Sequence, residues 1–163
     1  MEIRPKVSGF ITKLLVQEGQ TVKAGQLLFV IDNSTFQASV RQAQAAVNSA
    51  KSQLRTAKLT YENSEQLFKR NVIGQYELQS AQNTYETAKS AVAQAQASLA
   101  SAKEMLNFCY VKSPAAGVVG SLPFKQGALV SASSPQPLTT VSNISTVEVY
   151  FSMTEKDVLE RCV

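Results

Sequence analysis

The longest pattern of apolar and polar positions runs through the middle of the chain, where apolar or small residues recur at alternating steps of three and four. A first series comprises Phe36, Val40, Ala43, Val47, Ala50, Leu54, Ala57, Tyr61, Ser64 and Phe68, and a second comprises Leu78, Ala81, Tyr85, Ala88, Val92, Ala95, Leu99, Ala102 and Leu106. This spacing is that of a coiled-coil heptad. The break at residues 71–74 predicts that two helices turn there and pack antiparallel, as an arm roughly 50 Å long at about 1.5 Å per residue.

The two series also restrict how the helices face each other. In each heptad one position is large and the other is mostly alanine, so the helices pack evenly when each large residue faces a small one. A register centred near residue 71 achieves this by pairing Val47 with Ala95, and one centred near residues 74–75 achieves it too; we favour the first. Many outer positions are Ser, Gln, Asn or Ala, which suits either a solvated surface or close approach of neighbouring helices without desolvation of charge.

Short β-type runs flank the arm, and the two flanks resemble each other. Three residues of the first flank recur 108 positions later: Gly9, Gly19 and Val22 as Gly117, Gly127 and Val130. Glycines between short apolar runs suit tight turns. Since each flank is too short to bury a core alone, we expect strands from residues 7–31 and 108–141 to close into one β-domain that the arm interrupts. Asp32-Asn33-Ser34-Thr35 offers helix-capping side chains at the junction.

Composition offers little chemistry. The chain has no histidine, the commonest general base and metal ligand, and Cys109 and Cys162 are too far apart for a CxxC motif. We therefore predict no catalytic, cofactor-binding or metal site, and we expect Cys109 to be a small buried residue. The net charge is +4, but the basic residues are scattered among Glu, so no nucleic-acid partner is indicated.

Several motifs in this order around a hairpin resemble the periplasmic adaptors, or membrane fusion proteins, of RND-type tripartite efflux pumps. They are Arg4-Pro5-Lys6-Val7-Ser8-Gly9, the run from Glu18 to Leu28, Val111-Lys112-Ser113-Pro114, and Gly127-Ala128-Leu129-Val130. The resemblance implies an α+β fold in which a lipoyl-like β-domain is split by a long antiparallel coiled-coil hairpin and followed by the start of a β-barrel domain. The corresponding ranges are 1–33 and 108–142 for the split domain, 34–107 for the hairpin with its tip near 71–74, and 143–163 for the truncated barrel.

The same resemblance implies a function. The chain would be a non-catalytic adaptor without cofactors that bridges an inner-membrane RND transporter to a TolC-like outer-membrane channel in drug or small-molecule efflux. Self-association, as a hexamer in the full-length protein, is implied too. We expect a periplasmic location, with anchoring to the inner membrane through a segment absent from this fragment.

Many family members carry Arg, Leu and Ser at the hairpin tip, where they contact the channel. These positions fall on Asn63, Leu67 and Gly74 here, so only the leucine matches. The resemblance therefore shifts the expected docking surface to Leu67, Val72 and Ile73, apolar residues at a turn. The alternative is that these residues only close the hairpin core.

Two other functions share these features. Adaptors of ABC-type exporters or of type I secretion systems have the same split domain and hairpin, although type I hairpins are usually much longer. A lipoyl or biotinyl carrier domain also has two similar halves, but it displays a lysine on a tight turn between them. Here a hairpin of about 75 residues replaces that turn, and neither Asp-Lys-Ala nor Met-Lys-Met occurs, which argues against a carrier.

Overall fold

The computed structural model describes residues 1–143, which form a long helical arm on a base of eight short strands. The elements are β1 (Glu2–Ile3), β2 (Gly9–Leu14), β3 (Thr21–Val22), β4 (Leu27–Ile31), α1 (Ser34–Lys69), α2 (Gln75–Asn107), β5 (Tyr110–Lys112), β6 (Gly117–Val119), β7 (Leu129–Val130) and β8 (Thr139–Ser142). The expected start of a β-barrel domain at 143–163 falls almost entirely outside the described residues.

The arm consists of α1, with 36 residues, and α2, with 33, packed along the two predicted series. Every member of both series is buried or half-buried except Phe68, which is 37% exposed. In the last turn of α1 the half-buried position is Leu67 instead. The assignment of Phe68 to the seam was therefore wrong, because the seam moves by one residue where α1 ends.

The rings of Tyr61 and Tyr85 stack across the arm, with centroids 5.6 Å apart and planes at 7°. Two large side chains thus lie side by side, whereas the register centred near residue 71 opposes Tyr61 with Ala81 and the alternative opposes it with Ala88. The prediction that each large residue faces a small one is therefore wrong at Tyr61 and Tyr85. Flat rings stack in an offset arrangement, so two of them fit where two branched aliphatic side chains would crowd.

The base is built from two antiparallel four-stranded sheets, ordered β1-β8-β6-β3 and β5-β4-β2-β7. Both sheets mix strands from before and after the arm, since β3 pairs with β6 and β2 pairs with β7. The expected contact between the two flanks is therefore confirmed. Because the ends of the arm enter neighbouring strands, the base holds the two helices together at their foot.

The sequence repeat appears in the base as matching turns. The amide of Gly19 donates to the carbonyl of Val119 at 2.8 Å, and the amide of Gly127 donates to that of Ile11 at 2.7 Å. The two donors, Gly19 and Gly127, are 108 residues apart in sequence, and so are the two acceptors, Ile11 and Val119. Both glycines have positive φ, +80° and +90°, which glycine adopts without a Cβ clash. The recurring glycines thus mark equivalent turns of an approximate internal twofold.

The core of the base is formed by apolar residues of both flanks, and Phe36 and Phe108 pack against it from the foot of each helix. Cys109 is completely buried there, as expected. Burial, and then the nearby Asp32 carboxylate, raise the pKa of the Cys109 thiol.

Capping at the start of α1 differs from expectation. Asn33 is the N-cap residue, but its side chain makes no capping bond. Its amide Nδ2 donates instead to the Tyr110 hydroxyl at 2.8 Å, and the Ser34 amide donates to Asp32 Oδ1 at 3.2 Å. Asn33 therefore ties the arm to strand β5, and Asp32 forms the local turn.

The described part of the chain contains neither a helix long and apolar enough to cross a membrane nor a cluster of potential metal ligands.

Candidate functional site: the hairpin tip

The turn that ends α1 is a Schellman motif. Asn71 has a φ of +58°, in the left-handed region that asparagine tolerates better than most residues. Its amide donates to the Phe68 carbonyl at 3.0 Å, and the Val72 amide donates to the Leu67 carbonyl at 2.9 Å. This pair of bonds satisfies carbonyls that the helix end would leave without partners. The turn therefore fixes Val72 relative to Leu67.

The start of α2 is capped through its backbone. Gly74 is the N-cap residue, and its amide donates to Glu77 Oε2 at 3.3 Å. The carboxylate also lies in the first helical turn, where the positive end of the helix dipole favours negative charge. Gly74 has an ordinary φ of −86°, and a Cβ built on it meets no atom within 4 Å. Glycine is therefore not required at this position.

The predicted site residues differ in exposure. Val72 is 65% exposed, Asn63 and Gly74 are exposed, and Leu67 and Ile73 are half-buried. Leu67, Val72, Ile73 and Gly74 lie together at the turn. Asn63 lies eight residues before Asn71 in the chain, about 12 Å down the helix at the usual rise per residue.

Two further apolar side chains lie at this end of the arm and were missed as site residues. Tyr76 is 85% exposed in the first turn of α2, and Phe68 is 37% exposed in the last turn of α1. The signal for Tyr76 was available, because it is an aromatic residue outside the heptad series. We call Leu67, Phe68, Val72, Ile73 and Tyr76 the apolar tip. Exposed apolar residues concentrated at one end of an element are typical of a contact surface.

Charge around the apolar tip is modest. Lys69 Nζ lies 3.5 Å from Glu65 Oε1, an exposed pair one helical turn apart, and Arg70 follows at the end of α1. Cations at this position also interact favourably with the carboxyl end of the helix. The tip thus offers apolar side chains with balanced charges around them, Lys69 and Arg70 against Glu65 and Glu77, an arrangement suited to binding a protein surface.

A family model for the barrel-sandwich hybrid domain of RND membrane fusion proteins matches residues 1–142. The chain belongs to this family. Among curated proteins, this membrane fusion protein is 31% identical over 158 residues to the multidrug resistance protein MdtE of Escherichia coli K12, a match covering 97% of the chain and 41% of MdtE. It is also 31% identical to the multidrug efflux pump subunit AcrA of the same strain, over 97% of the chain and 40% of AcrA.

Solved structures agree with this assignment. ZneB from Cupriavidus metallidurans is 26% identical with a TM-score of 0.61, over 89% of this chain and 61% of ZneB. MacA from Actinobacillus actinomycetemcomitans is 29% identical with a TM-score of 0.59, over 88% and 49%. The predicted family and fold class are therefore confirmed. The chain spans about two fifths of the length of the curated relatives it matches.

Proposed function

We propose that this membrane fusion protein is a non-catalytic periplasmic adaptor that bridges an inner-membrane RND transporter to a TolC-like outer-membrane channel in small-molecule efflux. The observation that carries the proposal is the apolar tip at the far end of a long arm, with Val72 exposed at a turn in which the amides of Asn71 and Val72 are hydrogen-bonded. The similarity to a multidrug efflux pump subunit supports it. The match to an RND-specific family model favours an RND transporter over an ABC-type or type I partner.

Within this proposal, each part of the chain has a distinct role. Residues 1–33 and 108–142 form the split lipoyl-like domain that serves as the base. Residues 34–107 form the reaching arm, and residues 143–163 begin the β-barrel domain. Docking uses Leu67, Val72 and Ile73, with Asn63 and Gly74 in the positions where many family members have Arg and Ser.

The proposal extends to assembly and location. The full-length protein forms a ring, a hexamer by family resemblance, with arms side by side around the path of the exported molecule. It resides in the periplasm and is anchored to the inner membrane. The large number of uncharged outer positions on the arm supports lateral packing, since such surfaces meet without desolvation of charge.

The test is a charge placed on the docking surface. Val72→Asp in the full-length protein is expected to abolish drug export and to leave the melting temperature nearly unchanged, because an exposed site tolerates charge within about 0.5 kcal/mol. Val72 is a sharper probe than Leu67, which is half-buried, so that a carboxylate there would also destabilise the arm.

Leu129→Asp is the matched control, because Leu129 is 63% exposed but lies on strand β7 of the base. It is expected to leave export intact. Normal export by Val72→Asp, with normal amounts of folded protein, would exclude Val72 from the docking surface.

A further inference from the structure

An open groove of about 670 Å³ runs along one face of the arm, below the tip. Its walls are hydroxyl and methyl groups: Ser52, Thr56 and Thr60 from α1, and Ser80 and Thr84 from α2, with Tyr76 at one end. The only charged side chain among its lining residues is Glu77, and that carboxylate already accepts the bond from Gly74. Ser52 also accepts a hydrogen bond from Arg55 Nη2 at 2.9 Å, but this guanidinium does not line the groove. An apolar group can therefore enter the groove while the charge of Arg55 stays at its margin.

Elsewhere the arm carries charge. Lys58 approaches Glu62 at 4.0 Å and Lys69 approaches Glu65 at 3.5 Å, and all four residues lie outside the groove. These side chains are each at least 41% exposed, so a neighbour that packs on the groove can leave them at its margin, in water. The groove thus offers another helix a surface whose one charged side chain, Glu77, is already hydrogen-bonded.

A complementary feature lies on the outer edge of α1. Leu59 is 67% exposed, and among the leucines of the two described helices it is the only exposed one. It is two residues from both Ala57 and Tyr61 of the seam, about 200° around the helix from each, and so points away from α2. Neither the coiled-coil core nor the apolar tip uses this side chain.

Leu59 and the groove lie at the same height on the arm. Thr60 and Ala57, which both line the groove, are one and two residues from Leu59, within about 3 Å along the helix axis. Copies related by rotation about an axis parallel to their arms have no vertical offset. Such a rotation therefore brings the Leu59 edge of one copy level with the groove of the next.

We propose that Leu59 of one copy inserts into the groove of a neighbouring copy, between the Thr56–Thr60 wall and the Ser80–Thr84 wall. The contact uses two different faces of each copy, and heterologous contacts of this kind close into rings when the rotation closes. This inference rests on the proposed ring of adaptors. It names the face and the residue by which one arm engages the next.

The experiment uses site-specific disulfides in the full-length protein, in cells that make the whole pump. All variants carry Cys162→Ser, and Cys109 is buried and does not compete. Cells co-express two differently tagged copies, one with Leu59→Cys and the other with Ser80→Cys. A mild oxidant should then yield mixed dimers several-fold above the amounts from either variant alone, because only the mixed pair brings the two thiols within disulfide reach. The control pair combines Ser80→Cys with Lys58→Cys, which lies one residue away on the charged flank.

Each outcome of the cross-linking experiment either supports or overturns the contact between Leu59 and the groove. Preferential cross-linking of Leu59→Cys with Ser80→Cys supports the contact. Dimers of Ser80→Cys with itself would show that grooves face each other, and cross-linking to Lys58→Cys in preference would place the charged flank in the groove; both overturn the inference. An amine-reactive cross-linker applied to the same cells reports assembly independently. If the amine-reactive reagent yields oligomers but the mixed disulfide does not form, this contact is wrong and the ring stands. If neither the oligomers nor the mixed disulfide forms, both the proposed ring and this contact are wrong.

Discussion

At the residue scale, glycine is required at some positions and incidental at others. Gly127 has a φ of +90° in the turn that donates to Ile11, whereas Gly74 has a φ of −86° and free space around it. Gly127→Ala should therefore lower the free energy of unfolding by about 1–2 kcal/mol, the cost of a left-handed backbone in an L-residue. Gly74→Ala should lower it by less than Gly127→Ala, because the backbone of Gly74 is unstrained and only the preference of the N-cap position for glycine over alanine is lost. Urea unfolding of both variants checks this, and equal effects would contradict the assigned turns.

Cys109 gives a pH-dependent prediction. Its thiol pKa is raised by burial and by Asp32, so the unfolded chain loses this proton first as the pH rises. The buried thiol thus contributes stability below the ordinary thiol pKa, and this contribution is lost as the pH rises above it. In a Cys162→Ser background, unfolding should become easier above that pH, and Cys109→Ala should weaken this dependence. A steeper pH dependence in Cys109→Ala would contradict the account.

Several individual residues were predictable because their signals are local. Recurrence of Gly19 as Gly127 identified equivalent turns, and the apolar surroundings of Cys109 identified a core residue. The side chain of Asn33 was not predictable in this way. Its capping role competes with a bond to Tyr110, which is distant in sequence and becomes available only when α1 and β5 meet.

At the scale of elements, the arm combines a regular seam with one aromatic stack. Tyr61 and Tyr85 stack at 5.6 Å, and Lys89 Nζ lies 4.1 Å from the Tyr85 ring centroid. A double-mutant cycle with Tyr61→Leu and Tyr85→Leu should give a favourable coupling of about 0.5–1.5 kcal/mol, as for other aromatic pairs. Thermal or urea unfolding of the four proteins supplies the cycle. Additive effects would show that the rings act only by filling space.

The existence, type and extent of the two helices followed from heptad spacing, which depends only on the order of apolar residues. The register did not follow. We predicted the register by placing each large residue opposite a small one, which considers only side-chain volume. Tyr61 and Tyr85 are both large, but their flat rings fit side by side because they stack. The exchange of Phe68 for Leu67 at the end of α1 has a similar origin, because the Schellman turn, and not the heptad, sets the last half-buried residue.

At the scale of the molecule, the base and arm have separate apolar interiors. The core cluster of the base consists entirely of residues from the two flanks, with Phe36 and Phe108 packed against it. A variant in which a short Gly/Ser linker replaces residues 38–105 should therefore keep a cooperative thermal transition and its β-sheet circular dichroism. A protein that melts without a cooperative transition would show that the base depends on the arm.

The split architecture was predictable because the two similar flanks and the heptad pattern between them can be read directly along the chain. The path of each strand between the two sheets was not, because pairing such as β2 with β7 depends on contacts across the insertion. The candidate docking surface was predictable only in part. The heptad spacing placed Tyr76 outside the seam, which was a usable signal. Its 85% exposure depends in addition on where the turn places the first residues of α2.

The central claim, that the arm's tip meets an outer-membrane channel, is tested most directly by a photoreactive amino acid at Val72 in the full-length protein. After irradiation of intact cells, the account predicts a covalent adduct between this adaptor and the channel protein, identified by mass spectrometry. The same amino acid at Leu129, equally exposed but on the base, should give no channel adduct. Adducts with the channel from Leu129 and none from Val72 would contradict the account.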